Sequence, residues 1–182
     1  MTVTSKDMYK ILREALAPGL KVAGFKRTSG GMLGWYKPID GRYLSFWFQC
    51  DKYGWFQDFG SKVTLELQVA DDPRPGYGRL LDRERFATFL TDTELEVVRA
   101  LNNDVIRSLP VPSPNNPVFL LGDEGQKWFM SDYRLHVEPY ARNQDVWLHY
   151  FTPQHVETWA AFFSDRILRI GDAFLAGVKR ET

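Results

Sequence analysis

Two of the three histidines in this chain lie in segments that favour a shared acid–base site. His136 and His149 each fall in a stretch that alternates apolar and polar residues, and two such stretches pair as a β-hairpin. Matching the apolar faces places His136 opposite Trp147 and Arg134 opposite His149. The other face then holds two imidazoles, a guanidinium and the carboxylate of Glu138, a set suited to proton transfer or to anion binding.

The same residues also have a structural interpretation. A solvated sheet face carries such side chains as ordinary cross-strand pairs, and a register slip of one residue would separate the histidines. Two hypotheses therefore stay open. One is a small enzyme with His136, Glu138 and His149 as acid–base residues and Arg134 beside them. The other is a protein that uses them only as surface residues.

A second candidate site follows the most aromatic segment, Tyr43–Cys50, where that predicted strand ends. Aromatic rings beside a lysine and polar groups are typical of sites that bind small ligands or peptides. If a groove is present, at least two of the rings of Trp35, Tyr53 and Trp55 should be partly exposed around a common cavity. The alternative is that all three are core residues. The predicted ligand- or partner-binding residues are Trp35, Gln49, Lys52, Tyr53 and Trp55.

The motifs of common cofactor and catalytic sites are absent from the sequence. The glycines of Pro75–Gly78 lack the spacing of a phosphate-binding loop, and Ser29–Gly31 indicates a flexible turn. There is no His-Glu-x-x-His zinc motif and no Gly-x-Ser-x-Gly nucleophile elbow. The single cysteine, Cys50, excludes an intramolecular disulfide and a multi-cysteine zinc site. We therefore expect no cofactor and no metal, and we favour a binding protein over an enzyme.

Charge and hydropathy narrow the class of partner. The chain balances 23 Lys and Arg against 23 Asp and Glu, without the basic excess typical of nucleic-acid binders. The longest apolar runs span a few residues, whereas a membrane helix needs about 20. The first residues lack the basic and apolar regions of a signal peptide. We expect a cytoplasmic protein that binds neither nucleic acid nor membrane, with an unidentified protein or small molecule as partner.

Periodicity predicts the elements that must position these residues, beginning with an N-terminal helix. Thr4 or Ser5 is a suitable N-cap, and apolar residues then recur at helical spacing. Pro18-Gly19 should break or kink the helix, and Gly24 should end it.

Three strands should follow. Leu33–Lys37 and Tyr43–Cys50 are joined by the hairpin turn Asp40-Gly41. The second strand is too apolar for a wet face, so we expect cover on both sides. In the third strand, Lys62–Val69, apolar and polar residues alternate, which predicts one face in the core and one in water.

The second half of the sequence predicts helices and a hairpin. Asp82 should cap one helix and Thr91–Glu94 should form the capping box of another. The prolines from Pro110 to Pro117 predict a stiff connector. A domain linker is one interpretation; we favour a strap across the surface, because neither side has an obvious core of its own. The hairpin is predicted at Tyr133–Tyr140 and Val146–Phe151.

Thr152-Pro153 should open one long final helix. The predicted fold class is a single α+β domain over residues 1–182. An antiparallel sheet of about five strands should be packed by the N-terminal helix, the middle helices and the C-terminal helix.

The N-terminal part of the chain resembles the bacterial domain of unknown function numbered 4304. The likeness lies in Leu20-x-x-x-Gly24-Phe25-Lys26-Arg27 after a helix and in the pair Trp35-Tyr36. It continues through Phe48–Lys52 and Val63–Leu67 and covers about the first 70 residues. The family pattern favours serine where this chain has Asp51. The resemblance implies a small α+β protein and brings no catalytic residues.

Overall fold

The computed structural model describes residues 2–110 and 134–178, which form four α-helices and one antiparallel sheet of six strands. The predicted α+β class is confirmed. The helices are α1 (Ser5–Val22), α2 (Asp92–Ser108), α3 (Pro153–Ser164) and α4 (Ile167–Gly177). The strands are β1 (Lys26–Arg27), β2 (Leu33–Ile39), β3 (Arg42–Cys50), β4 (Ser61–Ala70), β5 (Leu80–Arg85) and β6 (Leu148–Tyr150).

Strand β4 is the centre of the sheet. The strands follow the order β1-β2-β3-β4-β5, and β6 also pairs with β4. Strand β3 pairs along one edge of β4. Along the other edge, Ser61–Val63 of β4 pair with β6, and Glu66–Ala70 pair with β5. The long strand therefore brings residues from distant parts of the chain onto one surface.

Helix α1 begins as predicted and ends later than its proline suggests. The Thr4 hydroxyl accepts from the Asp7 N–H, and the Asp7 carboxylate accepts from the Thr4 N–H, completing a capping box. Of the predicted break or kink at Pro18, the break does not occur, because the helix runs on to Val22; Gly24 then ends it with a φ of +86°, as predicted. Buried side chains on both sides of the proline hold the last turn against the core, and this packing offsets the cost of about 3 kcal/mol.

One face of the sheet, which we call the core face, is apolar and covered by helices. Phe48 on this face contacts Phe163 of α3 at 5.3 Å between ring centroids. Phe25, just after α1, packs on Phe46 at 4.7 Å between centroids. The buried cluster combines residues from both sides of segment 111–133. The core-face residues of the two central strands are Leu44, Phe46, Phe48, Val63, Leu65, Leu67 and Val69.

The opposite face, which we call the polar face, is also buried, and the predicted wet side of β4 is therefore wrong. Gln68 donates from Nε2 to the Arg74 carbonyl and accepts the Gly76 N–H at Oε1. The loop between β4 and β5 thus covers the strand and satisfies its polar groups, which an alternating pattern cannot foresee. The polar-face residues of β3 and β4 are buried: Ser45, Trp47, Thr64, Glu66 and Gln68. Those of β5, Arg83 and Arg85, belong to the same face but lie nearer the surface.

The helix predicted to begin at Asp82 is instead strand β5 followed by a 3-10 turn at Phe86–Phe89. Pairing with β4 provides a ladder of hydrogen bonds for this segment, and tertiary pairing outweighs local helix propensity. The Thr91 capping box that opens α2 is confirmed, since Thr91 and Glu94 exchange side-chain and backbone hydrogen bonds.

The predicted late hairpin is wrong. Residues 134–140 form no strand, Tyr133 lies outside the described residues, and β6 pairs with β4. Helix α2 supplies the missing pairing, because the Asn102 side chain accepts the His149 N–H and donates to the Trp147 carbonyl. Asn103 likewise accepts the His136 N–H and donates to its carbonyl. Two adjacent buried asparagines thus take the place of a partner strand.

The C-terminal helical segment opens as predicted but is divided. Thr152 caps α3 and Pro153 occupies its first turn. The single long helix is wrong, since α3 ends at Ser164 and α4 begins at Ile167. Arg166 lies at the break and donates to the Phe162 carbonyl, satisfying a group that the helix leaves open at its end. Of the predicted proline connector, residues 111–117 lie outside the described residues.

Candidate functional site

Trp35, one ring of the predicted aromatic site, belongs to the core. It is 2% exposed and packs against Phe46 at 6.4 Å between centroids. The guanidinium of Arg27 lies 5.4 Å from the centre of its ring. Trp35 therefore has no ring surface to offer to a groove at the strand end.

The other residues of the predicted aromatic site lie nearer the surface. Tyr53 is 46% exposed, and the Lys52 ammonium group is 4.8 Å from its ring centre. Trp55 is half-buried, stacks on Phe151 at 5.6 Å and donates from Nε1 to the Phe151 carbonyl. Gln49 is half-buried at the end of β3. The rings of Tyr53 and Trp55 do not border the cavities beside Glu66, Lys10, Gly30 or Phe25. The predicted set is therefore divided between the core, which holds Trp35, and the surface region, which holds the others.

The two histidines do come together, by a route that the sequence did not indicate. Their ring centroids are 6.0 Å apart, and Asn102 and Asn103 hold the backbone of each. His149 is 3% exposed, and burial lowers its pKa to about 3, with smaller contributions from the nearby charges of His136 and Lys62. It is therefore a neutral imidazole at physiological pH.

This geometry favours the structural interpretation of the histidines. A general base must reach the proton that it abstracts and should titrate near the working pH. His149 satisfies neither condition, while Glu138 and Arg134 are exposed. The carboxylate and the buried imidazole thus lie in different environments.

The polar face holds a more organised set of charges around Glu66. This carboxylate is 3% exposed and accepts from Nε of Arg83 at 2.6 Å, while Nη2 of Arg85 lies 3.7 Å from its other oxygen. Arg83 stacks over Trp47 at 5.1 Å, and Arg85 over Trp147 at 5.2 Å. Arg83 is held by a charge-assisted hydrogen bond to Glu66 on one side and by an indole on the other, whereas Arg85 combines a longer ion pair with its own indole.

These guanidiniums border an open cavity of about 550 Å³, which we call the polar-face cavity. Arg85 also pairs with Asp145, which lines the same cavity. Its wall therefore presents fixed charges of both signs, which suits a ligand or surface that carries both. The lining residues are Glu66, Arg83, Glu84, Arg85, Thr88, Asn143, Gln144 and Asp145. Within residues 2–110 and 134–178, no group of three or more His, Cys, Asp or Glu is arranged to hold a metal ion.

Sequence reasoning missed this site because Glu66 was assigned to a wet face and Arg83 and Arg85 to a helix. One signal was available. In Asp82-Arg83-Glu84-Arg85, acids and arginines alternate with period two, which puts both arginines on one face of a strand. That pattern indicates a strand with a cationic face rather than a helix.

Comparison of the chain with family models, with curated proteins and with solved structures finds no match. The resemblance to the domain of unknown function stays a prediction. None of the helices in the described parts of the chain is long and apolar enough to cross a membrane.

Proposed function

We propose that this chain is a non-enzymatic binding module that recognises a protein partner in the bacterial cytoplasm through the polar-face cavity. The observation that carries the proposal is the pair Arg83 and Arg85, each held between an indole ring and the buried Glu66 at the wall of an open cavity.

Fixed guanidiniums favour binding because their conformational entropy is already lost before a partner arrives. An interface loses about 0.5–1.5 kcal/mol for each long side chain that it must order. Arginine and tryptophan are also enriched among the residues that contribute most to protein–protein affinity. Charges of both signs on the cavity wall favour a partner with complementary charges of both signs.

Partner capture with matched variants tests this proposal. Affinity-tagged protein is incubated with lysate of the native cell, and captured proteins are identified by mass spectrometry. We expect the wild type to capture a specific partner. The Glu66→Gln/Arg83→Gln variant should capture at least tenfold less of the same partner. The paired amides keep a hydrogen bond where the ion pair was, so folding should persist.

The control for this experiment is Asp104→Asn/Arg107→Gln, which removes an exposed ion pair on α2 in the same way. It should capture the partner like the wild type. Equal capture by both variants would contradict the use of the polar-face cavity. Capture of no partner, together with turnover in a broad substrate screen, would contradict the binding function itself.

A second candidate function is a small enzyme that uses His136, His149 and Glu138. The observation that favours it is the 6.0 Å separation of the two imidazole rings. If a substrate screen reveals turnover, the His136→Ala/His149→Ala variant should abolish it. Turnover that is unchanged in this variant would remove the histidines from any mechanism.

A further inference from the structure

A cavity of about 360 Å³ beside the first turns of α1 is surrounded by positive charge. Lys6, Lys10 and Arg13 lie at spacings of four and three residues, so they share one face of the helix. Arg27 of β1 lies on the wall of the same cavity. Two elements that are separate in the sequence thus direct four cations to one place.

The carboxylate of Asp7 is the one acidic group among the lining residues of this cavity, beside four cations. None of Lys6, Lys10 and Arg13 forms an ion pair within the parts of the chain that the structure describes. The hydroxyl and N–H groups of Thr4 donate to the Asp7 carboxylate in the helix cap and lower its pKa, and the charges of Lys6 and Lys10 lower it further. The cavity is therefore cationic in spite of the neutral chain.

Arg27 is held in position before any ligand arrives. Its Nη1 donates to the Gly34 carbonyl at 2.7 Å, and its guanidinium stacks over Trp35. Burial lowers the pKa of Arg27, and the positive charge of Arg13 lowers it further, which reflects how close the two guanidinium groups lie. Fixed arginines are suited to phosphate, since the planar fork matches two phosphate oxygens.

This arrangement opposes stability in the free protein. Like charges four residues apart destabilise a helix, and Lys6 and Lys10 form such a pair. An anion in the cavity would attract each of these cations and so offset their mutual repulsion. The half-exposed Met32 adds an apolar wall beside the charges, suited to the organic part of a ligand.

We propose that the cavity between α1 and β1 binds a small molecule that carries a phosphate or diphosphate group, with Lys10, Arg13 and Arg27 as its anion ligands. The volume is within the range of small-molecule sites, about 300–1,000 Å³. This site lies apart from the polar-face cavity, and the two proposals can fail independently.

Titration with inorganic pyrophosphate tests the proposal. Thermal unfolding and isothermal calorimetry are measured at constant ionic strength, with chloride replacing pyrophosphate in the reference. We expect saturable binding and a rise in Tm for the wild type. The Lys10→Ala/Arg13→Ala variant should bind at least tenfold more weakly. The control Lys21→Ala/Lys26→Ala removes the same charge from α1 and β1 outside the cavity and should bind like the wild type.

A second variant adds a charge and removes no side chain. A Cβ at Gly31 meets no atom within 4 Å, so Gly31→Glu should fold normally and put a carboxylate at the cavity. We expect it to abolish pyrophosphate binding, while Gly19→Glu, also in open space on α1, should keep it.

Three results would overturn the proposal. One is an equal response of all variants, which would indicate a general salt effect. Another is the absence of saturable pyrophosphate binding by the wild type. The third is binding to vesicles containing phosphatidylserine without binding to pyrophosphate, which would indicate a membrane surface as the ligand.

Discussion

The two faces of the central sheet are both buried, but different interactions bury them. On the core face, Phe46 and Phe48 pack against rings and aliphatic side chains beneath the helices. On the polar face, Gln68 and Glu66 are covered by a loop backbone and by arginines. Adjacent residues of the same strands thus lie in an apolar layer on one side and in a hydrogen-bonded layer on the other.

The difference indicates which face can replace its internal contacts by contacts to a binding partner. Apolar packing depends on shape and area, and opening it exposes surface to water with no compensating bond. A polar layer is held by directional bonds to charged groups, and a partner that offers equivalent groups can replace them. The polar face is therefore the surface on which we expect recognition, while the core face sets stability.

Truncation of the core face should give the largest effect. Phe46→Ala removes a fully buried ring that contacts Phe25 and Trp35, and we expect a loss of about 3–5 kcal/mol in the free energy of unfolding. Urea denaturation followed by circular dichroism measures it. The control Tyr53→Ala truncates an exposed ring and should change stability by less than about 0.5 kcal/mol. A small loss for Phe46→Ala would contradict the division between the faces.

Protonation of His149 should give the next effect, at the β6 end of the polar face. The folded-state pKa of about 3 lies below the unfolded value of about 6.5, so the unfolded chain binds the proton first. This contribution to stability is complete above about pH 6.5. It is lost as pH falls toward 3, by up to about 1.4 kcal/mol for each pH unit.

Carboxylates also titrate in this range, so the His149 contribution is isolated by comparison. The slope of unfolding free energy between pH 6.5 and 4.5 should be shallower for His149→Gln than for the wild type. Identical slopes would mean that His149 is accessible to protons in the folded state. That result would favour the enzyme hypothesis for the histidine pair.

Local signals explain what could be predicted from the sequence. The N-cap at Thr4, the Thr91 capping box, the Asp40-Gly41 turn and strands β2 to β4 depend on residues close together in the chain, and their prediction succeeded. Asp40 and Gly41 have φ values of +44° and +77°, as that hairpin turn requires.

The failed predictions concern tertiary contacts that local periodicity does not indicate. Asn102 lies 47 residues from His149 in the sequence, and nothing local indicates that its amide replaces a strand. The loop that covers Gln68 bonds to it from Arg74 and Gly76, close by in the sequence, but an alternating pattern does not indicate that the chain folds back over the strand. For the candidate site, the proximity of the histidines was predicted from a hairpin that does not form, while Glu66 and its arginines were not identified.

The smallest effect should come from Arg83→Lys, which separates charge from planarity on the polar face. Lysine keeps the charge beside Glu66, but it has no planar fork to donate from and no flat group to stack on Trp47. Because Arg83 is partly exposed, we expect a loss of only about 0.5–1 kcal/mol in unfolding free energy. Partner capture, by contrast, should fall several-fold if the fixed guanidinium contacts the partner. Loss of capture with stability nearly intact would identify the planar guanidinium as the recognition element. Full retention of capture would show that a positive charge at this position is sufficient, and would contradict a role for the stacked arginine.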